Sequence, residues 1–166
     1  MATSNFDATK IHMGPAEVIF NDKHLGYTLN DSVKISMSNE TTPVTPDQAS
    51  LAIMDVVTGT TVTVEATFAQ VEDILELLPG ASTDGLKDPG GIDLKQMAAS
   101  LVIKPYDANP NDSITDYGFT YTFPKACPIV TDGIQFAKTT PQGIAISFKV
   151  YADEDGTFMT WAKATA

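Results

Sequence analysis

The side chains able to ligate a metal or attack an electrophile are few and scattered. His12 and His24 are the two histidines and Cys127 is the one cysteine, so no Cys/His cluster with zinc spacing exists. Asp107, Asn109 and Asn111 alternate as calcium-loop ligands do, but the sixth position is Asp112 rather than glycine and the twelfth is Gly118 rather than glutamate. Asp153-Glu154-Asp155-Gly156 reads as an acidic turn before it reads as a weak cation site. Gly80-Ala81-Ser82-Thr83-Asp84-Gly85 has the glycine spacing of a phosphate-binding loop. Leu86 occupies the lysine position, Lys87 is displaced by one, and Asp88 would repel phosphate. No Gly-x-Ser-x-Gly elbow presents a serine, and a Ser/His/Asp triad would have to be assembled around two histidines near the N-terminal end. Carboxylate pairs such as Asp153 and Asp155 carry no sign of the separated environments that acid–base chemistry needs. The expectation is a protein without catalytic residues, cofactor or metal.

Ten Lys plus Arg against twenty-one Asp plus Glu give a net charge of −11 over 166 residues. Adhesion to nucleic acid requires clustered cations that displace counterions, and here the lysines are spread about one per strand or turn. The acidic balance also serves solubility. Cys127 lies in the apolar run Ala126-Cys127-Pro128, which suits a buried thiol, with an intersubunit disulfide as the other reading. No apolar run reaches membrane-spanning length, so no membrane insertion by this chain is expected. The start Met1-Ala2-Thr3-Ser4-Asn5-Phe6-Asp7 lacks a basic n-region and apolar core, so synthesis and folding in the cytoplasm are expected.

The elements that would position any site are mostly strands. Residues 1–14 form a polar arm without periodicity, and residues 15–166 read as a single domain. Short strands are expected over 16–20 and 25–28, with Asn21-Asp22-Lys23-His24 as the turn between them. Val71, Ile74, Leu75 and Leu78 fall at i, i+3, i+4 and i+7, marking one short helix over about 68–78. Thr67 and Gln70 have capping-box spacing, and Pro79-Gly80 ends the helix. Residues 79–97 form a Gly/Pro/Asp-rich surface loop with a helical turn near 94–98. Strands are expected over 100–106, 117–123, 134–138 and 144–151, and residues 158–162 close the sheet. Tyr117, Phe119, Tyr121 and Phe123 share one strand face, either as core or as a subunit contact. Seven or eight strands and one helix indicate a mainly β, antiparallel sandwich or barrel.

The most distinctive stretch runs from Val33 to Phe68. Val33 to Ser38 alternate apolar and polar residues, as do Thr61 to Phe68, giving two half-buried strands. Between them lies a connector of roughly twenty residues, Glu40 to Thr58, far longer than ordinary hairpin loops. Its alternatives are a surface loop and a segment that reaches a neighbouring subunit, with Pro43 and Pro46 stiffening an extended path. Leu25-Gly26-Tyr27, the alternating strand, Thr45-Pro46-Asp47-Gln48, Asp55, Gly59 and the Thr/Val strand occur in an order that resembles tail tube proteins of tailed bacteriophages. Residues 151–156 also look like the closing turn of such proteins.

The resemblance implies a sandwich-like tail tube fold with a long β-hairpin loop, one sheet of which joins its neighbours around a lumen. It implies hexameric rings stacked head to tail into a hollow tube, a conduit for genome ejection, in the phage tail of a virion assembled in the host bacterial cytoplasm. Type VI secretion tube proteins share that architecture. Its partners would be further copies of itself, with tail sheath, baseplate and tail terminator proteins around them, and double-stranded DNA would pass without specific binding. Thr41, Thr42, Pro43, Val44, Thr45, Pro46, Asp47 and Gln48 are then the expected subunit-interface loop. Lys34, Ser36, Ser38 and Glu40, with Thr61, Thr63, Glu65 and Thr67, are the expected lumen face. Glu65 is either a lumen carboxylate repelling phosphates or a partner of Lys34 or Lys149. The competing reading is a monomeric β-sandwich or barrel module that binds a carbohydrate or another small ligand.

Overall fold

The computed structural model describes residues 14–29, 31–106 and 119–163. The 1–14 arm apart from Gly14, the Asp107–Gly118 calcium-like spacing, His12 and Tyr117 lie outside the described residues. Among the described residues, ten strands and one helix follow in the order β1 (Ala16–Phe20), β2 (Lys23–His24), β3 (Lys34–Val44), β4 (Met54–Phe68), α1 (Val71–Leu75), β5 (Ala81–Ser82), β6 (Gly85–Leu86), β7 (Ala99–Pro105), β8 (Phe119–Ile134), β9 (Ile144–Tyr151) and β10 (Thr160–Lys163). The fold is mainly β and antiparallel, as the alternation requires.

One sheet runs β2-β1-β7-β8-β9-β4-β3, with β10 added to β8. The first half of β8 pairs with β7 and β10, and its second half pairs with β9. The sheet therefore folds over itself at β8. Val18, Phe20, Leu101 and Ile103 on β1 and β7 face Val62, Val64, Ala66, Phe68, Ile144, Ile146 and Phe148 on β4 and β9. Phe20 and Phe148, from opposite halves, have ring centroids 5.5 Å apart. Val71, Ile74 and Leu78 complete the core from α1 and the turn after it.

Several boundaries differ from expectation for identifiable reasons. Asn21 and Asp22 both have positive φ (49° and 63°), so a two-residue turn suffices and the chain returns already at Lys23–His24. Residues 25–28 form no second strand beyond one bridge between Thr28 and Phe68. The helix is shorter than 68–78, because Thr67 and Phe68 stay in β4, where they pair with Ala145 and Ile144. No capping box forms. Gln70 is the N-cap, without a side-chain cap bond, and its amide instead donates to Asp73 Oδ2 at 3.2 Å. The strands expected at 117–123 and 134–138 are replaced by the single long β8, which ends at Ile134. Residues 79–98 carry the small β5–β6 hairpin and successive turns. Of the aromatic stripe, Phe123 is buried, Tyr121 half-buried and Phe119 exposed.

The largest difference concerns the connector. β3 and β4 keep pairing past Glu40 to the last pair, Val44 with Met54, so the loop proper is residues 45–53. Thr41, Thr42, Val56 and Val57 are strand formers, and Pro43 is tolerated because β3 has no strand on its other side. A bulge at Glu40/Thr41 leaves Thr58 without a register partner. The result is a long two-stranded arm projecting from the sandwich.

Cys127 is buried, as expected, on the sheet face opposite the main core, since its neighbours Ala126 and Pro128 pair with the core residues Val150 and Phe148. Burial pushes its thiol above the ordinary value of 9.0. The folded state thus holds this proton more tightly than the unfolded chain, and the associated stability is lost as pH rises past the thiol's ordinary value. At neutral pH the native protein should react with a thiol reagent at least about 100-fold more slowly than the urea-unfolded chain. Equal labelling rates in the two states would show that the thiol is accessible.

Candidate functional site

The arm is the first unusual surface. Opposed residues on paired strands share a face, so Thr42, Val44, Met54 and Val56 lie on one side and Thr41, Pro43, Asp55 and Val57 on the other. Val44, Met54, Val56 and Val57 are all exposed, and the loop adds Leu51 at 79% and Ile53 at 66% exposure. Backbone bonds from Ala49 N to Pro46 O (3.0 Å) and Ile53 N to Val44 O (3.0 Å) order the tip. Thr60 Oγ1 donates to Asn39 Oδ1 at 2.9 Å near the arm's root. The eight expected interface residues are all here: Thr41 to Val44 in β3, and Thr45 to Gln48 in the loop. The more apolar half of the arm lies within the expected Glu40–Thr58 connector but outside those eight residues. Leu51-Ala52-Ile53-Met54-Asp55-Val56-Val57 is a nearly unbroken apolar run, and that was the available signal. Isolated exposed aliphatics are ordinary, but this many on one projection make the arm an unusually apolar surface.

The second surface is a pair of sheet edges. The strands β8, β9, β4 and β3 form a four-stranded unit with alternating directions. Among the described residues nothing pairs with the outer side of β3. The β7 ladder stops at Ala99 opposite Ala126, which leaves the same side of β8 from Cys127 onward without a strand partner among the described residues. Unpaired edges present rows of backbone donors and acceptors ready for another strand.

The third surface is the outward face of that unit. The expected lumen residues are brought together by register: Lys34 opposite Glu65, Ser36 opposite Thr63, Ser38 opposite Thr61, and Glu40 opposite Gly59. Thr67 lies opposite Ala145, Glu65 opposite Ser147, and Thr63 opposite Lys149. Glu65 forms no ion pair with Lys34 or Lys149 among the described residues. By register, Lys34, Lys125 and Lys149 share this face with Glu40, Glu65 and Asp132. The face is therefore balanced in charge and rich in hydroxyls. Further acidic residues are Glu72, Asp73 and Glu76, those along 84–93, and the 153–155 turn. Asp93 among them lies close enough to Tyr151, which shares this face through its pairing with Lys125, to add to burial in raising the tyrosine's pKa.

A cleft of about 340 Å³ between Tyr27 and Tyr106 is the place where a small-ligand module would bind. Its carboxylate, Glu17, already contacts the His24 ring and Lys104 Nζ (3.4 Å), and the volume is at the lower end for ligand sites. Among the described residues no group of three or more His, Cys, Asp or Glu is gathered as a metal would need. Nor is any helix long and apolar enough to cross a membrane.

Sixteen solved chains match the structure. One is the sheath/tube terminator, in the extended state, of an extracellular contractile injection system termed PVC. It has a TM-score of 0.55 and 11% identity, over 96% of this chain and 99% of that one. Another is the tube-terminating cap of the anti-feeding prophage, with a TM-score of 0.53 and 12% identity, over 99% of this chain and 100% of that one. The likeness is one of fold. It spans both chains almost end to end, so the shared fold is that of the whole domain rather than of a fragment. No family model matches the sequence, and no curated protein matches it significantly.

Proposed function

We propose that this chain is a structural, non-enzymatic subunit that assembles with copies of itself into rings within a phage-tail-like tube. The observation carrying this reading is the four-stranded unit open at both edges. Its directions alternate, so a copy rotated about a ring axis presents its free β8 edge antiparallel to the free β3 edge of its neighbour. Repetition of that step closes a continuous barrel and leaves no edge exposed. The resemblance to tail tube proteins implies six copies per ring, stacked along a tube in the virion, with sheath, baseplate and terminator proteins as further partners. The face bearing Lys34, Ser36, Ser38, Glu40, Thr61, Thr63, Glu65 and Thr67 would then line the lumen. Its balanced charge and short hydroxyls offer a passing double strand neither a cationic grip nor a strong barrier. The apolar arm supplies contacts between copies.

A second reading keeps the ring but not the stacking. Both similar structures named above close a tube rather than form its length, which supports a single terminal ring. Negative-stain microscopy and sedimentation of concentrated protein test both. Stacked tubes support the tube subunit, and rings that stop at one layer support the terminator. A 17.7 kDa monomer at every concentration overturns ring assembly.

A further inference from the structure

The molecule carries an apolar projection and an apolar recess that cannot reach one another within a single chain. The recess is a groove of about 280 Å³ where the core faces of β3 and of β7–β8 diverge. Val33, Ile35, Met37, Ile103, Tyr121 and Met159 line it, and none of its described lining residues is charged. Met37 at its rim is 56% exposed. Trp161, opposite Tyr121 in the β10–β8 ladder, stands beside it at 64% exposed. Methionines at a groove suit an aliphatic guest, since their flexible thioethers adapt to its shape. A cavity of about 150 Å³ accommodates a benzene ring, so this one has room for two aliphatic side chains. The projection offers two, Leu51 and Ile53, at the tip of the arm.

The arm cannot fold back onto its own groove. Ile35 lines the groove and Val44 ends β3. The nine extended steps between them, at about 3.4 Å each, place the tip roughly 30 Å away. Resting on the self-assembly proposed above, we infer that Leu51 and Ile53 of one copy seat in the Val33–Ile35–Met37–Met159 groove of a second copy. Donor and acceptor are different surfaces, so the contact is head-to-tail and repeats from copy to copy, with a step set by the arm's length. Two side chains alone fall far short of the roughly 800 Å² per partner of a stable interface. The contact therefore acts with the strand edges and fixes which copy the arm selects.

Cysteine pairing across copies tests this. Ile53→Cys protein would be mixed with Met159→Cys protein under assembly conditions with mild oxidation. Met37→Cys serves as a second groove site in case Met159→Cys disturbs packing, and Phe136→Cys, 85% exposed and off the groove, serves as control. The expected result is a disulfide-linked dimer of Ile53→Cys with either groove variant, at least tenfold above its yield with Phe136→Cys. Rings or tubes that form normally while neither groove variant links above the control would overturn the seating and leave the ring reading intact. Absence of any assembly would overturn both.

Discussion

Joining Thr42 directly to Val56 through an Asn-Gly turn is expected to yield a folded monomer that no longer assembles. Thr42 and Val56 are register partners, so the shortened hairpin closes with a turn suited to the strand twist. The excised residues 43–55 are almost wholly exposed and contribute nothing to the main core. Stability against urea should thus change by no more than about 1 kcal/mol. Assembly should fall below detection, because Val44, Leu51, Ile53 and Met54 go together. Circular dichroism with urea titration, and sedimentation over a concentration series, read the two effects separately. Normal rings or tubes from the shortened protein would remove the arm from the assembly surface.

The opposite result is expected from Phe148→Ala, a loss of about 3–5 kcal/mol of folding stability. Phe148 is 1% exposed and lies opposite Val64 on β4 and Pro128 on β8. Its ring is 5.5 Å from Phe20 and meets Phe68 edge-on at 6.5 Å. It thus joins both halves of the folded sheet, and no single neighbour can collapse into the space it would leave. Phe136→Ala, on an exposed ring, should change stability by no more than about 0.5 kcal/mol. Urea midpoints measure both, and a loss under about 1 kcal/mol at Phe148 would place the centre of the core elsewhere.

Alternation with a buried face was legible. Ile144, Ile146, Phe148 and Val150 mark β9 almost residue for residue, and Val62 to Phe68 mark the inner half of β4. The same alternation placed Lys34, Ser36 and Ser38 opposite Glu65, Thr63 and Thr61. Where no face is buried, the period vanishes although the strand persists. Residues 41–44 and 54–57 are held by pairing alone, so Pro43 and the threonines read as loop. β8 was divided for a related reason, since Pro124 and Pro128 punctuate it. Pro128 falls where one side of that strand has no partner and a proline is tolerated. The groove left no trace in the sequence, because Val33, Ile103 and Met159 come from elements that only topology brings together.

The outer part of β4 belongs to the arm and its inner part to the core, in one continuous strand interrupted only by the bulge that leaves Thr58 unpaired in the register. The arm therefore behaves as a lever whose fulcrum is the sandwich and whose soft point is the bulge at Glu40/Thr41. A tilt of about 5° at its root would sweep the tip by some 2–3 Å, given roughly 30 Å of strand. That is enough to lift an aliphatic side chain out of van der Waals contact. In the proposed ring a small rotation of one subunit would then be amplified at its neighbour, and the angular stiffness of the arm would set how faithfully motion passes from one copy to the next.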